Sequence, residues 1–345
     1  MSSQNFNDDL FLEALSIETG KLIGIFAENE KNGLKGDFTE INDQAGCFKP
    51  DNPWFTPGNV LSSLESIRAG LIAGFKKYPT ISNAGYQKTI AFVINPGAPF
   101  EGFGEILYAA IHGFICIVKL PADSRKAFGC LLTHLGKDEN QLSQRIKLIE
   151  GSLPPFDAII GINAFENKTA AAYISRKPNL VLSMKGCTVT LTGNESETEL
   201  FSLASDICRY FGRSFYSLKS LRVPEGYRFN DLFAAMEQFN SNSNNHRYFN
   251  HYEYHKSIFL INGIQHLDNG FILLTPDPDQ TGKTAVVTYS CYDDHTESGS
   301  VCNEDNRKPV DAYNSHDPVL INGMIQEDHR LFYNSAAISG FLSGL

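Results

Sequence analysis

Thiols, imidazoles and glycine-bearing turns are the groups in this sequence whose type and spacing could do chemistry. Cys116, Cys187 and Cys208 are candidate nucleophiles, active only as thiolates. Cys116 falls inside an apolar strand-like run and Cys208 inside a helical one, where thiols pack and stay inert. Cys187 precedes a strand and is the fallback thiol. His246, His251 and His255 cluster in one aromatic segment. On a helix, His251 and His255 share a face at four-residue spacing, as metal ligands do. The order His-Glu-x-x-His is absent, and the surrounding tyrosines and Phe249 read as a packed, hydrogen-bonded surface, so no metal is assigned. Gly282-Lys283-Thr284 invites a phosphate-loop reading, but that motif needs glycine where Asp277 stands. Asn95-Pro-Gly-Ala-Pro99 follows a strand and precedes a helix; it is either a ligand rim or an ordinary strand–helix turn. Lys119 closes a strand, and either reaches a nucleotide or is a solvated edge lysine.

The elements that must carry these groups alternate. A helix is expected around Phe11 to Ile17, and another opens at Pro57, capped by Thr56, with apolar residues at helical period from Val60 to Phe75. Strands are predicted at Thr89 to Asn95, Phe114 to Leu120, Ile146 to Ile149 and Asp157 to Ile162, with helices at Phe103 to His112 and Ser124 to His134. Short strands follow at Leu180 to Leu182 and Thr188 to Leu191. This order predicts an α/β fold whose parallel sheet is covered by helices, with ligands at the carboxyl ends of its strands. A helix over Glu195 to Phe211 opens with acidic residues, as its dipole favours. Beyond Gly212 come a strand (Lys219 to Val223), a helix (Asn230 to Phe239), a polar loop (Asn240 to Asn245), and apolar runs at Lys256 to Asn262, Gly270 to Thr275 and Ala285 to Tyr289. The apolar end, Ala336 to Leu345, is expected to dock back on the body.

With 345 residues and 42% hydrophobic content, the chain can bury a full core in one or two domains. A net charge of -10 without a basic block argues against nucleic acid. The longest apolar stretch, Ile106 to Leu120, is too short for a membrane span. The opening residues lack the basic and apolar regions of a signal peptide, so the expected location is cytoplasmic. The seven scattered cysteines, without CxxC spacing, read as reduced thiols.

Several segments then agree in order: Asn52-Pro-Trp-Phe-Thr-Pro57, Ile90 to His112 leading to Val118-Lys-Leu120, Phe156-Asp-Ala-Ile-Ile160, Leu191-Thr-Gly-Asn-Glu195, Val223-Pro-Glu-Gly-Tyr227, Asn245 to Tyr254 and His266-Leu-Asp-Asn-Gly-Phe271. Together with Arg209 to Pro224 they resemble the short LuxC-type acyl-CoA reductases. That resemblance implies an aldehyde dehydrogenase-like fold of two Rossmann-like, three-layer α/β/α domains. Residues 1–186, completed by 320–345, would be the NADPH-type nucleotide-binding domain, and 187–319 the catalytic-type domain. In the family a cysteine attacks an acyl thioester, coenzyme A leaves, and hydride from the nicotinamide releases an aldehyde. Carried over by position, that cysteine falls on Phe215 and the oxyanion asparagine on Gly97. The cofactor-turn Thr-Gly-Ser falls on Ile162-Asn163-Ala164, and a basic Arg-Lys-Asn-Arg segment on Leu182-Ser-Met-Lys185. Lys119 is kept, so Asn95, Gly97, Lys119 and Asn163 are the cofactor-binding candidates, for NADPH or NADH.

Loss of an oxyanion donor alone costs about 2.7–4 kcal/mol of barrier, and loss of the nucleophile removes the covalent route. The resemblance therefore implies a pseudoenzyme, or a binding partner for acyl-CoA or a related thioester. It would assemble as a homo-oligomer or with an active paralogue. The alternative is an active reductase using a displaced cysteine, Cys187, or direct hydride transfer.

Overall fold

The computed structural model describes residues 8–31, 52–73, 88–136, 141–164, 174–182, 187–214, 217–292 and 335–345. The chain divides into two compact units, Met1–Ser183 with Glu327–Leu345, and Met184–Gln326.

In the first unit, helix α1 (Asp8–Lys31) packs on α2 (Pro57–Ala73). Thr56 Oγ1 accepts the Asn59 N–H at 3.3 Å, so α2 opens with its predicted cap and proline. Strands β1 (Thr89–Ile94), β2 (Ile115–Lys119), β3 (Ile146–Ile149), β4 (Ala158–Ile162) and β5 (Asn179–Leu182) alternate with helices α3 (Phe103–Ile111), α4 (Ala122–Leu135) and α5 (Gln141–Arg145). The sheet order is β3-β2-β1-β4-β5, and every pairing is parallel. The central strands are β-branched and apolar because helices cover both faces; Ile90, Ala91 and Phe92 are wholly buried. Helix α3 is buried at all nine positions, which only an almost entirely apolar sequence permits. The last helix of the chain, Ser335–Ser343, returns to this unit: Ile338 and Leu342 are buried, and Ser339 hydrogen-bonds Tyr108 of α3.

The second unit holds β6 (Cys187–Thr190), α6 (Glu197–Cys208), β7 (Leu218–Pro224), α7 (Asn230–Met236), α8 (His246–Asn262), β8 (Leu267–Asp268), β9 (Leu273–Thr275) and β10 (Val286–Tyr292). The terminal helix Ser335–Ser343 is α9. The second sheet runs β6-β7-β10-β9-β8, parallel except for the β8–β9 pair. A capping box starts α6: Ser196 Oγ accepts the Glu199 N–H at 3.3 Å, and the Glu199 carboxylate accepts the Ser196 N–H at 2.7 Å. Asn245 caps α8 by accepting the Arg247 and Tyr248 N–H groups. The run Lys256 to Asn262 is the end of α8, and most of the polar loop expected at 240–245 is 3₁₀ helix. Among the described residues no helix is long and apolar enough to cross a membrane.

Candidate functional site

The strand order of the first unit creates a reversal. From β1 the chain moves to β2 and β3 on one side, then returns to β4 on the other. The crevice outside the carboxyl ends of β1 and β4 is where such sheets bind ligands. The four sequence-nominated residues lie at that edge. Asn95 follows β1 and is exposed; its N–H donates to Ile162 O at 3.0 Å and extends the β1–β4 pairing. Asn163 follows β4 in the left-handed region (φ 49°), which asparagine tolerates, and its N–H donates to Leu182 O at 3.0 Å. Lys119 ends β2 opposite Val93 of β1. It is half-buried, and its side chain has no hydrogen-bond or ion-pair partner among the described residues.

Gly97 is different. Its N–H donates to the Glu101 carboxylate at 2.6 Å, and both groups are buried. Phe100 (φ 58°) and Gly102 (φ 91°) turn the chain so that Glu101 reaches back across four residues. Glu105 is buried one turn into α3. A nucleotide phosphate therefore does not fit the β1 turn. Its amide is already taken, and it would meet carboxylate charge at the helix start that normally attracts anions. Gly97 also has no side chain to hold an oxyanion. Removing the Glu101 carboxylate leaves a buried N–H unsatisfied. Glu101→Ala is expected to cost about 1–3 kcal/mol, and Glu101→Gln, which keeps an acceptor, less than about 1 kcal/mol, by urea unfolding.

The end of β2 suits a nucleotide better. Beyond Lys119, Pro121 opens α4, and Ser124 accepts a hydrogen bond from buried Asn52 Nδ2 at 3.3 Å. Asn52 Oδ1 in turn accepts the Trp54 N–H at 3.0 Å. The Asn52-Pro-Trp segment thus braces the turn next to Lys119. The turn after β4 continues into 165–173, outside the described residues.

The thiols are placed as follows. Cys116 in β2 and Cys208 at the end of α6 are free and buried, and burial pushes both thiols far up, away from the reactive thiolate. Cys187 is the first residue of β6; its side chain is outside the described residues, as are Phe215 and Tyr216. Cys130 is disulfide-bonded, which corrects the expectation of reduced thiols throughout. Cys291, near the carboxyl end of β10, is a free, exposed thiol that sequence reasoning passed over; its signal was position alone, near the close of an apolar strand.

His251 and His255 do share a face of α8, with ring centroids 6.2 Å apart. Among the described residues, no group of three or more His, Cys, Asp or Glu side chains is placed to hold a metal ion. The Gly282-Lys283-Thr284 segment follows a 3₁₀ turn, Pro278–Gln280, capped by Asp277, whose carboxylate accepts the Asp279 N–H at 3.0 Å.

Solved structures share this architecture. An indole-3-acetaldehyde dehydrogenase complexed with NAD+ superposes with a TM-score of 0.56 at 10% identity, over 84% of this chain and 68% of that one. The chain has the aldehyde dehydrogenase fold. A mutant of aldehyde dehydrogenase C from Pseudomonas syringae, complexed with NAD+ and octanal, gives 0.50 at 13% identity, over 82% and 68%. A mutant of proline utilization A from Bradyrhizobium japonicum gives 0.52 at 11%, over 84% of this chain but 34% of that one. No protein-family model and no curated protein matches the sequence.

Proposed function

We propose that this protein is a catalytically silent relative of the acyl-CoA reductases that binds a nicotinamide nucleotide, and acyl-CoA or a related thioester, without turning them over. The observation that carries the reading is the Gly97 turn. The position matched to the oxyanion asparagine has no side chain, and its amide is held by the protein's own Glu101. The sealed state of Cys116 and Cys208 supports it, since neither can replace the thiol lost at Phe215. Solved structures of the same fold hold NAD+, which supports nucleotide binding; the residues proposed to contact it are Lys119 and Asn95, with Asn163 just beyond β4. When bound, a nicotinamide supplies hydride. Assembly with a second copy or an active paralogue would cover the exposed side chains of α8, where Leu260 and Ile261 are 65% and 80% exposed.

The test is a direct one. Wild-type protein with NADPH or NADH and acyl-CoA of several chain lengths is expected to yield no aldehyde. Nucleotide titration is expected to show binding that weakens about tenfold in Lys119→Ala, the loss of one charge-assisted contact. Aldehyde formation abolished by Cys187→Ala would instead establish a displaced-thiol reductase.

A further inference from the structure

The sequence contains four Asn-Gly pairs, Asn32-Gly33, Asn262-Gly263, Asn269-Gly270 and Asn322-Gly323. Asn262-Gly263 and Asn269-Gly270 lie among the described residues, both in the second unit. In such a pair the glycine nitrogen carries no neighbouring side chain to hinder attack on the asparagine amide. We propose that Asn269-Gly270 is a self-modification site, closing to a succinimide with loss of ammonia and opening to an aspartyl or isoaspartyl residue. Nucleotide binding by the first unit plays no part in it.

Asn269 stands in the hairpin loop between β8 and β9, and its surroundings supply each part of that reaction. The attacking nitrogen is fixed beside a proton acceptor: the Gly270 N–H donates to Asp268 Oδ1 at 2.8 Å. Asp268 is itself held, because Tyr252 OH donates to its Oδ1 at 2.7 Å and Lys256 Nζ lies 2.8 Å from its Oδ2. The amide to be attacked is polarised. Asn269 Oδ1 accepts the Phe271 N–H at 3.3 Å and the Ile272 N–H at 3.0 Å, the pair of donors that an oxygen gaining charge requires. The leaving nitrogen is unheld: Asn269 Nδ2 is buried and has no hydrogen-bond partner among the described residues. A buried donor of that kind calls for an explanation, and its departure costs no contact. Gly270 is exposed, so water reaches the ring once formed.

The Gly270 nitrogen attacks Asn269 Cγ, and the N–Cγ bond forms as the amide proton passes to Asp268. The proton returns to Nδ2, the Cγ–Nδ2 bond breaks, and ammonia leaves. Water then opens the ring at one of its two carbonyls. Nothing is oxidised or reduced. A carboxylate replaces a neutral amide next to Asp268, and the isoaspartyl product adds a methylene to the main chain between Asp268 and Leu273, which pair across β8 and β9. Asn262-Gly263 lacks this arrangement. It closes α8, where the Gly263 N–H donates to the Leu260 and Phe259 carbonyls, and the Asn262 side chain makes no hydrogen bond among the described residues.

Full-length protein is held in mildly alkaline buffer, folded or in urea, and isoaspartate is located by peptide mass spectrometry. In the folded protein Asn269 is expected to convert about tenfold faster than Asn262, the effect of one charge-assisted contact on a barrier. In urea the two are expected to convert at similar rates. Gly270→Ala, whose Cβ meets nothing within 4 Å, is expected to slow conversion at 269 about tenfold. Folded protein in which Asn269 converts no faster than Asn262, or more slowly than in urea, would overturn the site. So would an unchanged rate in Gly270→Ala. Neither result bears on nucleotide binding, which Lys119→Ala reads separately.

Discussion

Acidification from pH 6.5 to pH 4 is expected to remove about 3 kcal/mol of stability from the second unit, and His255→Gln to abolish most of that slope. His255 is 9% exposed, and burial, reinforced by Lys283 and His251, pushes it from its ordinary 6.5 down to about 4. Between these values the unfolded chain binds a proton that the folded one refuses. Stability contributed by the neutral ring is therefore complete above pH 6.5 and is lost as pH falls toward 4, at about 1.4 kcal/mol per unit. His251 is shifted in the same direction but is exposed, so solvent screens its share. Asp268 adds to the loss at the acid end, because Lys256, the Gly270 N–H and Tyr252 together hold its carboxyl below the ordinary range despite partial burial. Amide hydrogen exchange in α8 isolates this unit from the first. Protection there is expected to fall roughly a hundredfold on acidification in the wild type and much less in His255→Gln. Equal losses in both proteins would show that His255 is not the group responsible.

The strands of the first unit were legible because their cause is local. Ile90 to Ile94 and Ile115 to Val118 are runs of residues that suit a doubly covered sheet, and the change to Asn-Pro-Gly or Lys-Leu-Pro marks their carboxyl ends. Asn95, Lys119 and Asn163 could therefore be placed at the crevice from sequence alone. Glu101 could not. Its contact with Gly97 depends on left-handed Phe100, a conformation that no phenylalanine announces. Helix α8 was only partly legible because Phe249, Tyr254, Leu260 and Ile261 are exposed, so no single apolar stripe runs its length. The hydrogen bond from Arg213 to Thr284 was invisible for a different reason. The two are 71 residues apart, and only the turn at 210–212 brings them together. Residues 240–244 of the 3₁₀ segment Glu237–Asn244 read as polar loop because the segment buries no side chain; its Asn242 acts by closing the end of α6.

Gly102→Ala is expected to cost about 3 kcal/mol, well above Gly263→Ala at about 1 kcal/mol, although both glycines have positive φ at a helix end. Gly263 ends α8 at φ 64°, and an added Cβ there meets nothing within 4 Å. Only the left-handed backbone opposes that substitution. Gly102 starts α3 at φ 91°, and its Cβ would stand 2.5 Å from Ile94 Cδ1 and 3.2 Å from Ile162 Cδ1. Those isoleucines end β1 and β4 and are 1% exposed, so at least the Ile94 side chain must shift within the core to admit a Cβ. Overpacking therefore adds to the backbone term. The penalty falls on the junction that sets the crevice, because the turn from Asn95 to Glu101 is held between the ends of β1 and the start of α3. The chain's single tryptophan, Trp54, is buried in the first unit and reports its unfolding by fluorescence. Gly102→Ala is expected to lower the urea midpoint read by Trp54 and weaken nucleotide binding together, whereas Gly263→Ala leaves both near wild type. If Gly102→Ala keeps its Trp54 midpoint, the close approach of α3 to the two strand ends does not limit this unit, and the assignment of the Gly97–Glu101 contact as a fixed feature of the crevice falls with it.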